Sequence, residues 1–178
     1  MLKRLAQIAA YNKNWSHYIL GRFSPADQVL TFRLRNGLRL ELKSETRFLL
    51  NEIFLDRVYD LPGFEYSDGG KVLDLGGNVG LFAFYVATRS PQARIYSFEP
   101  SSENLSHFRR NLEQNPAYAE RITLLPMAVG AANGTATLSL KGSSAEFSTV
   151  LGDAVEGKKE VVRCVDLATV FDLCAVDE

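Results

Sequence analysis

The sequence predicts an α/β domain: a parallel sheet with helices on both faces, preceded by a small α+β cap. Three observations predict it. From Lys71 onward the segments alternate strand, loop, helix, strand; a Gly76-Gly77 junction joins the first of these strands to its helix; and two period-two runs flank Asn36-Gly37 upstream. Parallel strands need crossover connections, and the helices that supply them cover the sheet. The expected division is a cap over residues 1–66 and the sheet domain over residues 67–178.

The first segment carries Leu2, Leu5, Ile8, Ala9 and Tyr11 to Trp15 at near-helical spacing and reads as one amphipathic helix packed on the domain. Leu30, Phe32 and Leu34, then Leu38, Leu40 and Leu42, alternate with polar neighbours and read as a hairpin. Asn36-Gly37 suits a two-residue type I′ turn, in which both residues take positive φ. Ser44 is placed to cap a helix running through Tyr59, with Pro62-Gly63 beyond its end. The alternating part follows: a strand over 71–75, an apolar helix over 79–89 stopped by Ser90-Pro91, and a strand over 94–98. A helix capped by Ser101 or Ser102 runs to about Asn115, and a strand over 122–129 is interrupted by Pro126. Thr135–Leu140, a Gly/Ser-rich loop from Gly142, a strand over 160–165 and a helix capped by Asp166 complete the order.

Composition narrows the function classes. The 178 residues hold 46% hydrophobic side chains, and a domain of this size buries roughly 70% of its unfolded surface without staples. Twenty Lys and Arg against twenty-one Asp and Glu leave a net charge of −1, which gives no global attraction to nucleic acid or anionic membrane. Cys164 and Cys174 form no CxxC pair, so packing roles in a reduced, cytoplasmic setting are expected and no metal is. Polar residues Gln7 and Asn12 to Asn14 interrupt any signal-peptide core, and no run approaches the roughly 18 apolar residues of a membrane span. His17 and His107 are isolated, which fits surface or packing positions.

The chemistry is concentrated in Val72-Leu73-Asp74-Leu75-Gly76-Gly77-Asn78-Val79-Gly80. A buried strand ends in an acid, the backbone turns through glycines, and Gly80 opens the next helix, so the main chain lies close to whatever binds there. Glu99 ends the second strand one strand-helix-strand unit later, at the same sheet edge, where an acid accepts the hydroxyls of a ribose. Ribose recognition is shared by nicotinamide and adenosylmethionine cofactors. The dinucleotide fingerprint G-x-G-x-x-G is incomplete, because Leu75 stands where its first glycine belongs.

Thr46–Tyr59 (TRFLLNEIFLDRVY), Val72–Gly80 (VLDLGGNVG), Ile95–Pro100 (IYSFEP), Asn104–Asn115 and Ile122–Gly130 (ITLLPMAVG) resemble the FkbM-type methyltransferases, over about residues 28 to 175. The resemblance implies the class I, Rossmann-like fold and S-adenosylmethionine as cofactor. It implies that Asp74, Gly76, Asn78 and Gly80, with Gly77 in the same turn, surround the methionine part of that cofactor. Glu99 would hold the ribose, Pro100 and Ser101 would shape the adenine side, and Met127 and Ala128 would lie near the adenine. Glu52 and Tyr59, in the matching cap region, are candidates for the substrate side. The implied activity is methyl transfer to an oxygen of a small-molecule, sugar or natural-product acceptor. In this family the sheet continues into a fourth strand with an acidic motif, which would lie beyond Glu178, so no catalytic base is identified. Two other readings stay open: a fragment of a nicotinamide-dependent oxidoreductase, and a non-catalytic cofactor-binding or pairing module that self-associates through the open edge of the first strand.

Overall fold

A computed structural model describes residues 2–60, 66, 69–140 and 158–175. Pro62-Gly63 and the loop from Gly142 lie outside the described residues. Three short sheets and seven α-helices are found among the described residues.

The expected single first helix is two, α1 (Leu2–Tyr11) and α2 (Trp15–Leu20). Asparagine side chains cause the break by competing for backbone groups. Asn14 Oδ1 accepts the Arg33 N–H at 2.8 Å while Asn14 Nδ2 donates to Thr31 O at 2.7 Å. Asn12 forms a backbone bridge with Leu34. Strands β1 (Val29–Arg33) and β2 (Arg39–Lys43) form the hairpin, with Leu30 opposite Leu42 and Phe32 opposite Leu40. Its turn is not type I′. The Leu34 N–H still donates to Leu38 O at 2.8 Å, which leaves three loop residues, and of Asn36 and Gly37 only Gly37 has positive φ, +99°. Asn36 Oδ1 instead accepts the Leu38 N–H at 3.2 Å, a local bond that selects the longer turn.

The expected helix from Ser44 to Tyr59 is also shorter. Ser44 begins a 3₁₀ turn, and its hydroxyl donates to Gly21 O rather than capping a helix. Helix α3 spans Phe48–Phe54. It ends where Asn51 O takes the N–H groups of both Leu55 and Asp56, at 2.9 and 2.8 Å, and Arg57 then turns to φ +53°.

The central sheet matches the sequence reading closely. Strands β3 (Lys71–Leu75), β4 (Arg94–Phe98) and β5 (Ile122–Leu125) are parallel in the order β3-β4-β5, connected by α4 (Leu81–Arg89), α5 (Ser102–Gln114) and a short α6 (Pro116–Ala119). Among the described residues β3 has one strand neighbour, β4. Side chains alternate between faces along each strand. Val72, Ile95, Ile122 and Leu124 join one core with α4, Phe108 of α5, the hairpin and α3, so a single apolar core crosses from cap to sheet. Leu73, Tyr96, Phe98 and Leu125 join a second core with Val170 and Cys174. Helices thus cover both faces.

Pro126 does more than interrupt a strand. Beyond it β6 (Ala128–Val129) leaves the central sheet and pairs in parallel with β8 (Lys158–Val165), which in turn pairs antiparallel with β7 (Gly134–Leu140). Proline has no N–H for the ladder, and the Met127 N–H folds back to Leu125 O at 2.9 Å. Helix α7 (Leu167–Leu173) follows, capped as expected by Asp166, whose Oδ1 accepts the Thr169 N–H at 2.8 Å.

Candidate functional site: a divided cleft at the sheet edge

Residues 76–80 form the turn between β3 and α4. The N–H groups of Gly76 and Gly77 both donate to Phe98 O at 2.9 Å, which ties the turn to the end of β4. Gly76, Asn78 and Gly80 have φ of +92°, +50° and +92°. That left-handed region penalises a Cβ, and asparagine is among the few other residues that visit it, which accounts for Asn78. Space differs sharply among the glycines. A Cβ at Gly77 would sit 1.9 Å from Ser97 Oγ, and one at Gly80 2.3 Å from the Phe108 ring, whereas nothing lies within 4 Å of a Cβ at Gly76.

Two acids organise the turn from below. Asp74 and Ser97 are register partners across β3 and β4, and the Ser97 hydroxyl donates to Asp74 Oδ2 at 2.6 Å. Burial raises the Asp74 carboxyl to about 6, and the Ser97 bond opposes the rise. Glu99 is 0% exposed. Its Oε2 accepts the Asn78 N–H at 2.7 Å; its Oε1 accepts the Ser101 N–H at 2.8 Å and Asn104 Nδ2 at 3.3 Å. Burial again dominates and pushes the carboxyl up to about 7, against the pull of those three donors. Glu99 therefore joins the glycine turn to the start of α5.

Two cavities open on either side of Leu75-Gly76, and both residues line both. The first, about 290 Å³, is bounded by Phe98, Pro100, Met127, Ala128 and the β7/β8 side chains Leu138 and Val162. The second, about 360 Å³, is bounded by Asp74, Gly77, Asn78, Leu49, Tyr59 and Phe82. The structure thus gathers Asp74, Gly76, Gly77 and Asn78 at one cavity and Gly76, Pro100, Met127 and Ala128 at the other. Glu99, Ser101 and Gly80 line neither. Glu99 is turned into the loop, Ser101 caps α5 by accepting the Asn104 N–H at 3.4 Å, and Gly80 lies over Phe108.

Of the two cap candidates, Tyr59 lines the second cavity, while Glu52 lies on a separate groove across α3. They do not share a helix, because α3 ends at Phe54. Sequence reasoning missed the apolar walls from β7 and β8, which only pairing with β6 brings to the sheet edge. It also missed Asn111. This buried side chain accepts the Glu41 N–H at 2.7 Å and donates to Val79 O at 2.9 Å, fixing the turn against both α5 and the hairpin. A polar residue on the apolar stripe of a helix was its one visible signal.

No protein-family model matches the chain. It is 35% identical over 129 residues to the AMB antimetabolite synthetase AmbE of Pseudomonas aeruginosa, covering 71% of this chain and 6% of that protein. It is 41% identical over 71 residues to Methyltransferase 1 of Beauveria bassiana, covering 40% of this chain and 28% of that one. It is 35% identical over 88 residues to the 31-O-demethyl-FK506 methyltransferase FkbM of Streptomyces tacrolimicus, covering 48% and 34%. The chain spans about a third or less of the length of these three relatives. A solved methyltransferase FkbM from Methylobacillus flagellatus overlays 76% of the chain and 34% of its own length, at 14% identity and a TM-score of 0.46. Over the stretches it shares with these relatives, the chain is similar in sequence to methyltransferases, FkbM among them.

Proposed function

We propose that this chain holds S-adenosylmethionine across the Leu75-Gly76 turn and serves methyl transfer to an oxygen of a small-molecule acceptor. The observation that carries the proposal is the divided cleft. An apolar half of about 290 Å³ and a half of about 360 Å³ with a carboxylate meet at one glycine whose Cβ position opens on free space. A flat base suits the first half, where Pro100, Met127, Ala128 and Leu138 offer apolar surface. An amino-acid end suits the second, where Asp74 presents a carboxylate with only Oδ2 held by Ser97. When bound, the cofactor supplies an electrophilic sulfonium methyl. The residues of this chain bind it, orient it and exclude water, which are the chief contributions a protein makes to such an in-line transfer. Glu99 acts from beneath by fixing the backbones of Asn78 and Ser101. The oxygen acceptor is supported by the S. tacrolimicus relative, whose name gives 31-O-demethyl-FK506 as what it methylates.

Calorimetric titration with S-adenosylhomocysteine checks the reading. Saturable one-to-one binding is expected. Ala128→Trp, which fills the apolar half, should weaken it at least tenfold, a loss of about 1.4 kcal/mol, with the circular dichroism spectrum unchanged. Equal affinity in the two proteins would overturn the assignment of that half.

A further inference from the structure

The β7/β8 pair that walls the apolar half of the cleft is tied down at two places. At its base, Cys164 and Val165 of β8 pair with Ala128 and Val129 of β6, and the Gly130 N–H donates to Val165 O at 2.8 Å. The second tie lies further along β8, roughly 13 Å from Cys164 at ordinary strand rise. There Glu160 reaches the start of α5. Its Oε2 accepts the Ser102 N–H at 3.0 Å and its Oε1 accepts the Ser102 hydroxyl at 2.6 Å.

Register decides what this tie controls. Leu138 stands opposite Glu160 and Ala136 opposite Val162, so these four side chains share one face of the β7/β8 pair. Leu138, Ala136 and Val162 line the apolar half, together with Pro100 from the β4–α5 connection. Glu160 does not line it and is the charged member of an otherwise apolar group. Glutamate is a poor strand former, but here its carboxylate meets the N-terminal turn of a helix, where a negative charge is favoured. Pro100 is thereby bracketed by two carboxylates. Glu99 Oε1 holds the Ser101 N–H at 2.8 Å from beneath, and Glu160 holds Ser102 from β8.

We propose that Glu160 is a positioning residue for the adenosine group of the cofactor. By latching β8 to Ser102 it sets the separation of Val162 from Pro100, and with it the width of the apolar half. The ligand binds the latched arrangement, so any population of unlatched chains lowers its apparent affinity in proportion. This inference rests on the reading of the apolar half given above, and the test separates the two.

Adenosine is titrated by calorimetry into the full chain, Glu160→Ala, Glu160→Gln and Ser102→Ala, and amide hydrogen exchange is followed at Ser102 and along β7 and β8. Glu160→Ala should weaken adenosine about fivefold, the factor expected from losing a side chain that accepts at a helix N-terminus. Glu160→Gln keeps an acceptor for the Ser102 N–H and should stay within about twofold of the unaltered chain. Ser102→Ala, which loses the hydroxyl bond alone, should fall between Glu160→Ala and the unaltered chain. Exchange should quicken in Glu160→Ala and return towards the unaltered rate in Glu160→Gln. A contact that merely steadies α5 would quicken exchange and leave adenosine affinity unchanged, and that result overturns the proposal. Equal weakening by Glu160→Gln and Glu160→Ala also overturns it. If the unaltered chain fails to bind adenosine, the reading of the apolar half falls and this inference with it.

Discussion

Gly80→Ala is expected to destabilise the chain by about 2–5 kcal/mol, the sum of left-handed backbone strain of about 1–2 kcal/mol and overpacking of about 1–3 kcal/mol. For a chain of this length that corresponds to a fall in Tm of roughly 4–20 °C. The strain follows from φ +92° at Gly80, and the overpacking from Phe108 atoms 2.3–2.7 Å from the new Cβ. Phe108 is fully buried and packed against Phe84, ring centres 6.2 Å apart and planes tilted by 52°, so it has nowhere to withdraw. Gly76→Ala is the control. Its φ is also +92°, but nothing lies within 4 Å of its Cβ, so it carries the strain alone, about 1–2 kcal/mol. Thermal unfolding of both proteins checks the difference. Equal losses would mean that Phe108 yields freely and the turn is not clamped by α5.

Glu99→Gln is expected to change how stability depends on pH by about 3 kcal/mol, since one pKa unit is worth about 1.36 kcal/mol. Burial raises this carboxyl from its ordinary 4.5 to about 7. A raised folded value means that, between these limits, the folded chain holds a proton the unfolded chain has released. Stability from this group is therefore full below about pH 4.5 and falls as pH rises through about 7. Glutamine does not titrate. The stability of the unaltered chain minus that of Glu99→Gln should shrink by about 3 kcal/mol from pH 4 to pH 8, measured by urea unfolding at each pH. Asp74, raised to about 6, acts in the same sense and is present in both proteins, so only its repulsion with Glu99, the smallest of the influences on that group, stays in the difference. A flat or rising difference would show that the three N–H donors keep Glu99 ionised throughout.

Most of the sheet was legible in the sequence because parallel strands bury both faces and read as short apolar runs: 71–75 and 94–98 appear in the structure with the same bounds. The cap was less legible for local reasons. Asn12, Asn14, Asn36 and Ser44 all have side chains that bind backbone groups, at places where a helix or turn boundary departs from what periodicity predicts. Periodicity records which face is apolar and is silent on such bonds. The glycine turn was legible as a site because three of its residues need positive φ, a demand written into Gly76, Asn78 and Gly80. The orientation of Glu99 was not, since a strand-terminal acid serves equally to meet a ligand or to receive the loop's own N–H groups. The first cavity's outer wall was illegible for a topological reason: Pro126 moves β6 into another sheet, and only that pairing brings β7 and β8 beside Met127.

The central claim is that one ligand occupies both halves of the cleft across Gly76. The most direct test is to titrate adenosine and S-adenosylhomocysteine into two folded variants, Ala128→Trp in the apolar half and Leu49→Trp in the half that holds Asp74. Ala128→Trp should weaken both ligands at least tenfold, while Leu49→Trp should weaken S-adenosylhomocysteine to a similar extent and leave adenosine unchanged. If Leu49→Trp binds both ligands as the unaltered chain does, the second cavity does not receive the amino-acid end, and the divided-cleft account fails.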